Sequence, residues 1–350
     1  MNKYSLIIFL LAALGGYLFS ILHIPLPWTL GPLVIAVLWK SILKKPVYWP
    51  KKMRNTGIVF LGYMMGSPFT PAVAGQVLYQ LPAMLTITLI LIFLCLGTGY
   101  IAGRYTGVGL ANSVIGSIPG GLSQMSIICE ETEGTEISVV TLMQTVRVIT
   151  VVFVVPLLAL HGISGQVAPT RHITMSLGLN DAAMLAIFFV FIFVLIKLAE
   201  WLKMHNIYVI VPVTATALLV MSGFTAPPLP APLVSLAQIF VGIRMGADVD
   251  FCSLENWKTI VLSSLLSVLA VIFALLGIAY LLSQLCSMSL ITAFISMAPG
   301  GMSEMGLTAL IANADLPTVV SYQLFRLLFL LIVCVPVVRW WLRKTCQKPG

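Results

Sequence analysis

Two arginines, Arg147 and Arg326, each stand about ten residues into a long apolar run. A guanidinium at bilayer depth is costly, so it pairs, faces a cavity or binds something charged. A glutamine precedes each by three residues, Gln144 and Gln323. That spacing puts amide and guanidinium on one helix face. Upstream of each pair lies a Pro-Gly-Gly unit, Pro119-Gly120-Gly121 and Pro299-Gly300-Gly301, followed by Ser123 and Ser303. Proline and paired glycines in mid-segment break a helix and free backbone N–H and C=O groups that lipid cannot satisfy. The half-helices resuming near Leu122 and Met302 would turn their N-terminal N–H groups, a partial positive charge, toward an anion. Glu304 breaks the symmetry, because its counterpart is Gln124. A buried glutamate there is a partner for Arg326 or a site for a coupling proton or cation.

These residues make a candidate substrate-binding set: Gly120, Gly121, Ser123, Gln124, Gln144 and Arg147 from one stretch, and Gly300, Gly301, Ser303, Glu304, Gln323 and Arg326 from the other. They are expected to share a polar pocket near the bilayer midplane and to suit a small anionic solute such as a carboxylate. A purely architectural reading stands beside this one. The glycines would allow close helix packing, and the arginines would pair with a glutamate or with the freed carbonyls.

Other polar groups point to less chemistry. Glu130, Glu131, Glu133 and Glu136 read as a solvated loop, and Arg244 with Asp248 and Asp250 as solvated helix ends. His23, His161, His172 and His205 lack metal-binding spacing, and the six cysteines include no C-x-x-C. No phosphate-binding G-x-x-x-x-G-K-[ST] occurs. No cofactor, metal site or enzymatic activity is expected.

The elements holding these residues must lie in lipid. Of 350 residues, 59% are apolar and only 9% charged, with a mean hydropathy of +1.06. Soluble domains carry about 25% charged residues. This balance excludes a soluble enzyme, a disordered regulator and direct nucleic-acid binding through phosphate contacts. Twelve apolar runs can be read, from Tyr4–Leu22 to Val319–Val338. Several are short for a hydrocarbon core about 30 Å thick, so ten to twelve crossings are expected. The expected fold class is all-α and polytopic, since the alternating strands of a barrel are missing. The first run reads as a retained helix rather than a cleaved signal, because a second follows at once. Basic residues crowd the loop from Lys40 to Arg54 and the C-terminus from Arg339 to Lys348. The positive-inside rule then places both termini in the cytoplasm and accounts for the net charge of +8.

The chain also repeats itself at an offset of 180 residues. Phe60, Gly62, Met65 and Gly66 match Phe240, Gly242, Met245 and Gly246. Pro119, Gly120, Gly121, Ser123 and Met125 match Pro299, Gly300, Gly301, Ser303 and Met305. Pro32 matches Pro212, and Gln144-x-x-Arg147 matches Gln323-x-x-Arg326 at an offset of 179. The expected organisation is repeat 1 over 1–165, a connecting loop over 166–180 and repeat 2 over 181–350. Duplicated membrane folds with broken helices are typical of transporters, often with inverted halves. Loop charges leave parallel and inverted arrangements nearly balanced, and the broken helices favour inverted.

The doubled Pro-Gly-Gly-x-Ser-x-Met unit, the following Gln-x-x-Arg and the proline-terminated apolar run resemble one bacterial family across nearly the whole chain. This is the duplicated AbrB-type integral membrane family, which carries the labels of regulator and of ammonia monooxygenase. It is distinct from the small DNA-binding transition-state regulator of the same name. The resemblance implies a bacterial inner-membrane protein with an indirect influence on gene expression. Its architecture is also similar to that of cation–proton antiporters and anion transporters. The monooxygenase label finds no metal ligands here. The reading of the residues is a carrier of a small anionic metabolite in the lipid bilayer, with a coupling proton or cation, and with homo-oligomerisation open. The alternative is a membrane-embedded regulator.

Overall fold

A computed structural model describes residues 3–43, 47–119, 125, 128, 129, 132, 135–163, 179–204, 206–248, 257–286 and 288–346. Its elements are helices, with no strand among the described residues. The first half contains α1 (Lys3–Ile21), α2 (Pro27–Leu43), α3 (Lys51–Gly66), α4 (Pro71–Thr106), α5 (Leu110–Ser117) and α6 (Ile137–Leu157). The second contains α7 (Leu179–Trp201), α8 (Ile207–Met221), α9 (Ala231–Ala247), α10 (Trp257–Leu285), α11 (Leu290–Met297), α12 (Met302–Ile311), α13 (Leu316–Phe329) and α14 (Val335–Cys346). Short π-helical stretches, Leu158–Ile163 and Leu330–Cys334, extend α6 and join α13 to α14.

Six helical segments among the described residues are long and apolar enough to cross a bilayer: Tyr4–Ile21, Pro71–Thr106, Ile137–Gly162, Asn180–Trp201, Trp257–Leu285 and Leu316–Trp341. Their outward faces carry large apolar side chains such as Leu10, Phe193, Leu262 and Phe273, as expected where the solvent is hydrocarbon. The chain is thus an all-α polytopic membrane protein. The helix around Gly57–Gly66 is longer than its apolar run, because the basic turn Lys51–Arg54 is also helical.

The Cα trace separates into two compact units, each drawing on both halves of the sequence. The first comprises Met1–Tyr79, Ser164–Asp248 and Met302–Val320; the second comprises Gln80–Ile163, Val249–Gly301 and Ser321–Gly350. The repeats over 1–165 and 181–350 divide the chain differently, by sequence kinship rather than compactness.

In the first unit α1 packs on α2, α2 on α9, α9 on α3, α3 on α8, and α8 on α7. The contacts are close because glycines face proline-bearing helices. A Cβ built on Gly62 would stand 2.8 Å from Pro212 Cβ. One built on Gly242 would stand 2.4 Å from Thr29 O and 3.1 Å from Pro32 Cβ. Gly62 and Gly242 are 180 residues apart, as are Pro32 and Pro212, so each half packs on the other in the same way. The turns match too. His23 and Leu26 have left-handed φ of 54° and 52°, and Lys203 and Asn206 have 52° and 55°. The amides of Leu22, His23 and Ile24 donate to Leu18, Ser20 and Phe19, and those of Leu202, Lys203 and Met204 to Leu198, Glu200 and Ala199. Both α1 and α7 therefore end in the same left-handed C-cap. Tyr63 anchors an aromatic cluster with Phe188 and Phe189 and donates its hydroxyl proton to Pro227 O at 2.6 Å.

In the second unit α6 packs against α5 and α10, and α10 against α11. Ile115, Ile118, Val140 and Leu330 are buried in one cluster around the ends of these short helices. Gly99 of α4 admits α5 closely, since a Cβ there would fall 1.7 Å from Ser117 Oγ.

Candidate functional site

The site is built on two helices that stop short. α5 ends at Ser117 and α11 at Met297. The next residues, Ile118 and Ala298, take extended conformations with ψ of 129° and 130°. Each precedes a proline, whose ring disfavours α geometry in the residue before it. The second helix resumes at Met302, so Ala298–Gly301 is a non-helical gap. Gly120, Gly121, Ser123 and Gln124 lie outside the described residues.

A helix that ends inside a membrane leaves its last carbonyls without donors, at the negative end of its dipole. Here the two Gln-x-x-Arg pairs supply the donors. Gln144 Nε2 donates to Ile115 O at 3.0 Å and to Ile118 O at 2.9 Å, and Arg147 Nη1 donates to Ile118 O at 2.8 Å. Gln323 Nε2 donates to Ile295 O at 3.0 Å and Ala298 O at 3.2 Å. Arg326 Nη1 donates to Ala298 O at 2.7 Å, and Nη2 to Gly300 O at 3.1 Å. In each pair the arginine Nη2 also donates to the glutamine Oε1, which fixes which end of the amide is the donor. The acceptors correspond across the offset, Ile115 with Ile295 and Ile118 with Ala298. All these groups lie in the second unit.

Both arginines are buried, Arg147 at 6% exposure and Arg326 at 7%. Within this unit Arg326 makes no ion pair with a described residue; its acceptors are neutral carbonyls and an amide. Carbonyls at a helix C-terminus temper the charge without cancelling it. A cleft of about 30 Å³ opens beside Arg147 and is lined also by Cys95, Thr98, Ser117, Ser264, Ser267 and Pro299. That is room for water-sized groups. Ser267 Oγ donates to Thr98 O at 3.3 Å, whereas buried Ser264 Oγ has no hydrogen-bond partner. The cleft thus combines a guanidinium with an uncommitted hydroxyl.

Of the residues expected from sequence, the structure brings Gln144 and Arg147 onto one helix end, and Gln323, Arg326 and Gly300 onto the other. Glu304 and Ser303 belong to the first unit, where Glu304 is buried in the first turn of α12. Ser303 Oγ donates to Glu304 Oε1 at 2.9 Å. Glu304 therefore occupies the positive helix end that sequence reasoning offered to a ligand anion. Gly301 completes the gap, with no side chain to contribute. Sequence reasoning missed Thr98, Ser117, Ser264 and Ser267. The signal was present for α10: Ser264, Ser267, Val268 and Val271 follow the i, i+3, i+4, i+7 pattern of one helix face.

Comparison with known proteins bears on what this site serves. Residues 28–342 match the family described as transition state regulatory protein AbrB. The chain is similar to the Bacillus subtilis (strain 168) "Uncharacterized protein YhjN", 25% identical with 94% of this chain and 91% of that protein covered. It is also similar to the Escherichia coli (strain K12) "Putative regulator AbrB", 24% identical with 92% of each chain covered.

Proposed function

The chain belongs to the membrane-type AbrB family, matched from residue 28 to residue 342, and we propose that it is a carrier. The proposed activity is secondary transport of a small anionic metabolite across the bacterial inner membrane. The observation that carries this reading is the pair of buried arginine clamps, each holding the carbonyl end of a short helix. A structural role alone would need donors but no net charge, and the glutamines already provide donors. Guanidinium groups add a positive field in a low-dielectric interior, which a carboxylate or phosphate would complete. The free hydroxyl of Ser264 supplies a further donor beside Arg147. The cleft of about 30 Å³ is too small for a metabolite, so on this reading it must widen to admit one.

The orientation of the helices supports inverted repeats, one of the arrangements that alternating access uses. Ser5 Oγ near the start of α1 donates to Tyr48 O at 2.8 Å, beside the basic turn that opens α3. Lys197 and Glu200 near the end of α7 line a cleft with Lys52 of the same turn. Equivalent helices α1 and α7 thus start and finish, respectively, at the same basic face. If that face is cytoplasmic by the positive-inside rule, so is the N-terminus, and the halves run in opposite senses.

The test is counterflow in proteoliposomes holding the purified protein, with a panel of labelled mono- and dicarboxylates and phosphate esters. Exchange of at least one anion, lost in Arg326→Ala, is the expected result. A second reading rests on the names of the family and the Escherichia coli relative: a membrane-embedded regulator acting indirectly on gene expression. No exchange with any anion, together with an expression change on deletion, would favour it.

A further inference from the structure

A larger cleft, of about 450 Å³, lies wholly within the first unit, between α3 and the pair α7 and α8. Its two ends differ chemically. At one end stand Lys52, Asn55 and Thr56 of α3, Lys197 and Glu200 of α7, and Tyr208 of α8. A turn or two deeper, the lining becomes Val59 and Phe60 of α3 with Phe189, Ile192 and Phe193 of α7. The polar end belongs to the basic turn that carries Lys51, Lys52 and Arg54. The apolar end lies along the membrane-crossing part of α7, and Phe193 there is 61% exposed. A cleft that is cationic at the interface and aromatic toward the hydrocarbon matches a lipid in shape and polarity.

The charges narrow the choice. Lys197 Nζ pairs with Glu200 Oε2 at 2.8 Å, and Tyr208 donates to Glu200 Oε1 at 2.8 Å. Both oxygens of Glu200 are thereby engaged. Two lysines against one glutamate leave a single positive charge, which one phosphodiester would balance. The ammonium of a zwitterionic headgroup would find the glutamate of this cleft already occupied. We propose that this cleft is a binding site for an anionic phospholipid of the phosphatidylglycerol class. Its phosphate would lie between Lys52 and Lys197, and its acyl chains along Phe60, Phe189 and Phe193. The proposal is independent of the carrier reading, which concerns the second unit.

The experiment is native mass spectrometry of the full-length protein, delipidated in detergent and then titrated with phosphatidylglycerol, phosphatidylethanolamine or glycerol 3-phosphate. One phosphatidylglycerol should be retained in preference to phosphatidylethanolamine. Retention should fall on the order of tenfold in the Lys52→Gln/Lys197→Gln double variant, as two interfacial cations are removed. Both lysines are exposed, so folding should survive, which thermal melting of the same samples would verify. Phe193→Ala should weaken phosphatidylglycerol retention without creating any binding of glycerol 3-phosphate. Equal retention of the two lipids would overturn the proposal. So would retention unchanged in the lysine variant, which marks annular lipid. Binding of glycerol 3-phosphate as tight as the lipid's would assign the cleft to a soluble phosphate and overturn it as well.

Discussion

At the scale of single residues, the chemistry of this protein turns on where two guanidinium groups find acceptors. Arg326 holds Ala298 and Gly300 carbonyls through separate Nη atoms and reaches Gln323 as well. Its forked geometry matters as much as its charge, because one ammonium cannot span the same acceptors. Arg326→Ala should therefore leave Gly300 O and Gln323 Oε1 without the donor they share, at roughly 1–3 kcal/mol for each buried group, while Ala298 O keeps Gln323 Nε2. Thermal unfolding of the purified protein in detergent should show a clear fall in midpoint. Arg326→Lys should recover only part of that stability. Arg147→Ala should lower the midpoint less, since its helix-end acceptor Ile118 O keeps the bond from Gln144 Nε2. An unchanged midpoint in the alanine variants would show that the clamps do not hold the helix ends.

At the scale of helices, close approach is set by the absence of side chains. Gly242 faces the Thr29 carbonyl, which is backbone and cannot step aside, and Gly62 faces Pro212. Alanine at either position should cost about 1–3 kcal/mol through overpacking. Gly277 in α10 provides the contrast, because a methyl group there would meet nothing within 4 Å. Gly277→Ala should be neutral or should stabilise the helix by up to about 1 kcal/mol. The three variants compared by thermal melting test whether glycines here serve packing or only relieve hydrophobic length. Equal effects at all three sites would contradict the packing argument.

At the scale of the whole molecule, the issue is the sense of the two halves. His23 and Lys203 occupy the same left-handed position in equivalent turns. Inverted repeats place those turns on opposite sides of the membrane; parallel repeats place them on the same side. His23→Cys and Lys203→Cys, each introduced after replacing the six native cysteines, can be probed with a membrane-impermeant maleimide in intact spheroplasts. Cysteine at position 23 should react from outside, and cysteine at position 203 only after lysis. Labelling of both from the same side would refute the inverted arrangement.

The sequence by itself determined that this chain lives in lipid, because so few charges cannot cover a soluble surface of this size. It also favoured breaks at the Pro-Gly-Gly units, where proline and paired glycines together disfavour α geometry, whereas Pro32, Pro82, Pro156 and Pro212 stand alone and lie within helices. It marked Gln144, Arg147, Gln323 and Arg326 as out of place, because their cost in hydrocarbon does not depend on the fold. What they bind was decided only in three dimensions. Their acceptors lie 25 to 29 residues away along the chain, at helix ends that no local pattern joins to them. The hydroxyls of the cleft were hidden for a similar reason. Serine in a membrane helix commonly bonds its own backbone, and only packing left Ser264 without a partner. Compactness, too, cut across the repeats, because Gly62 and Gly66 pack on Pro212-bearing α8 of the second half, and Gly242 and Gly246 on Pro32-bearing α2 of the first.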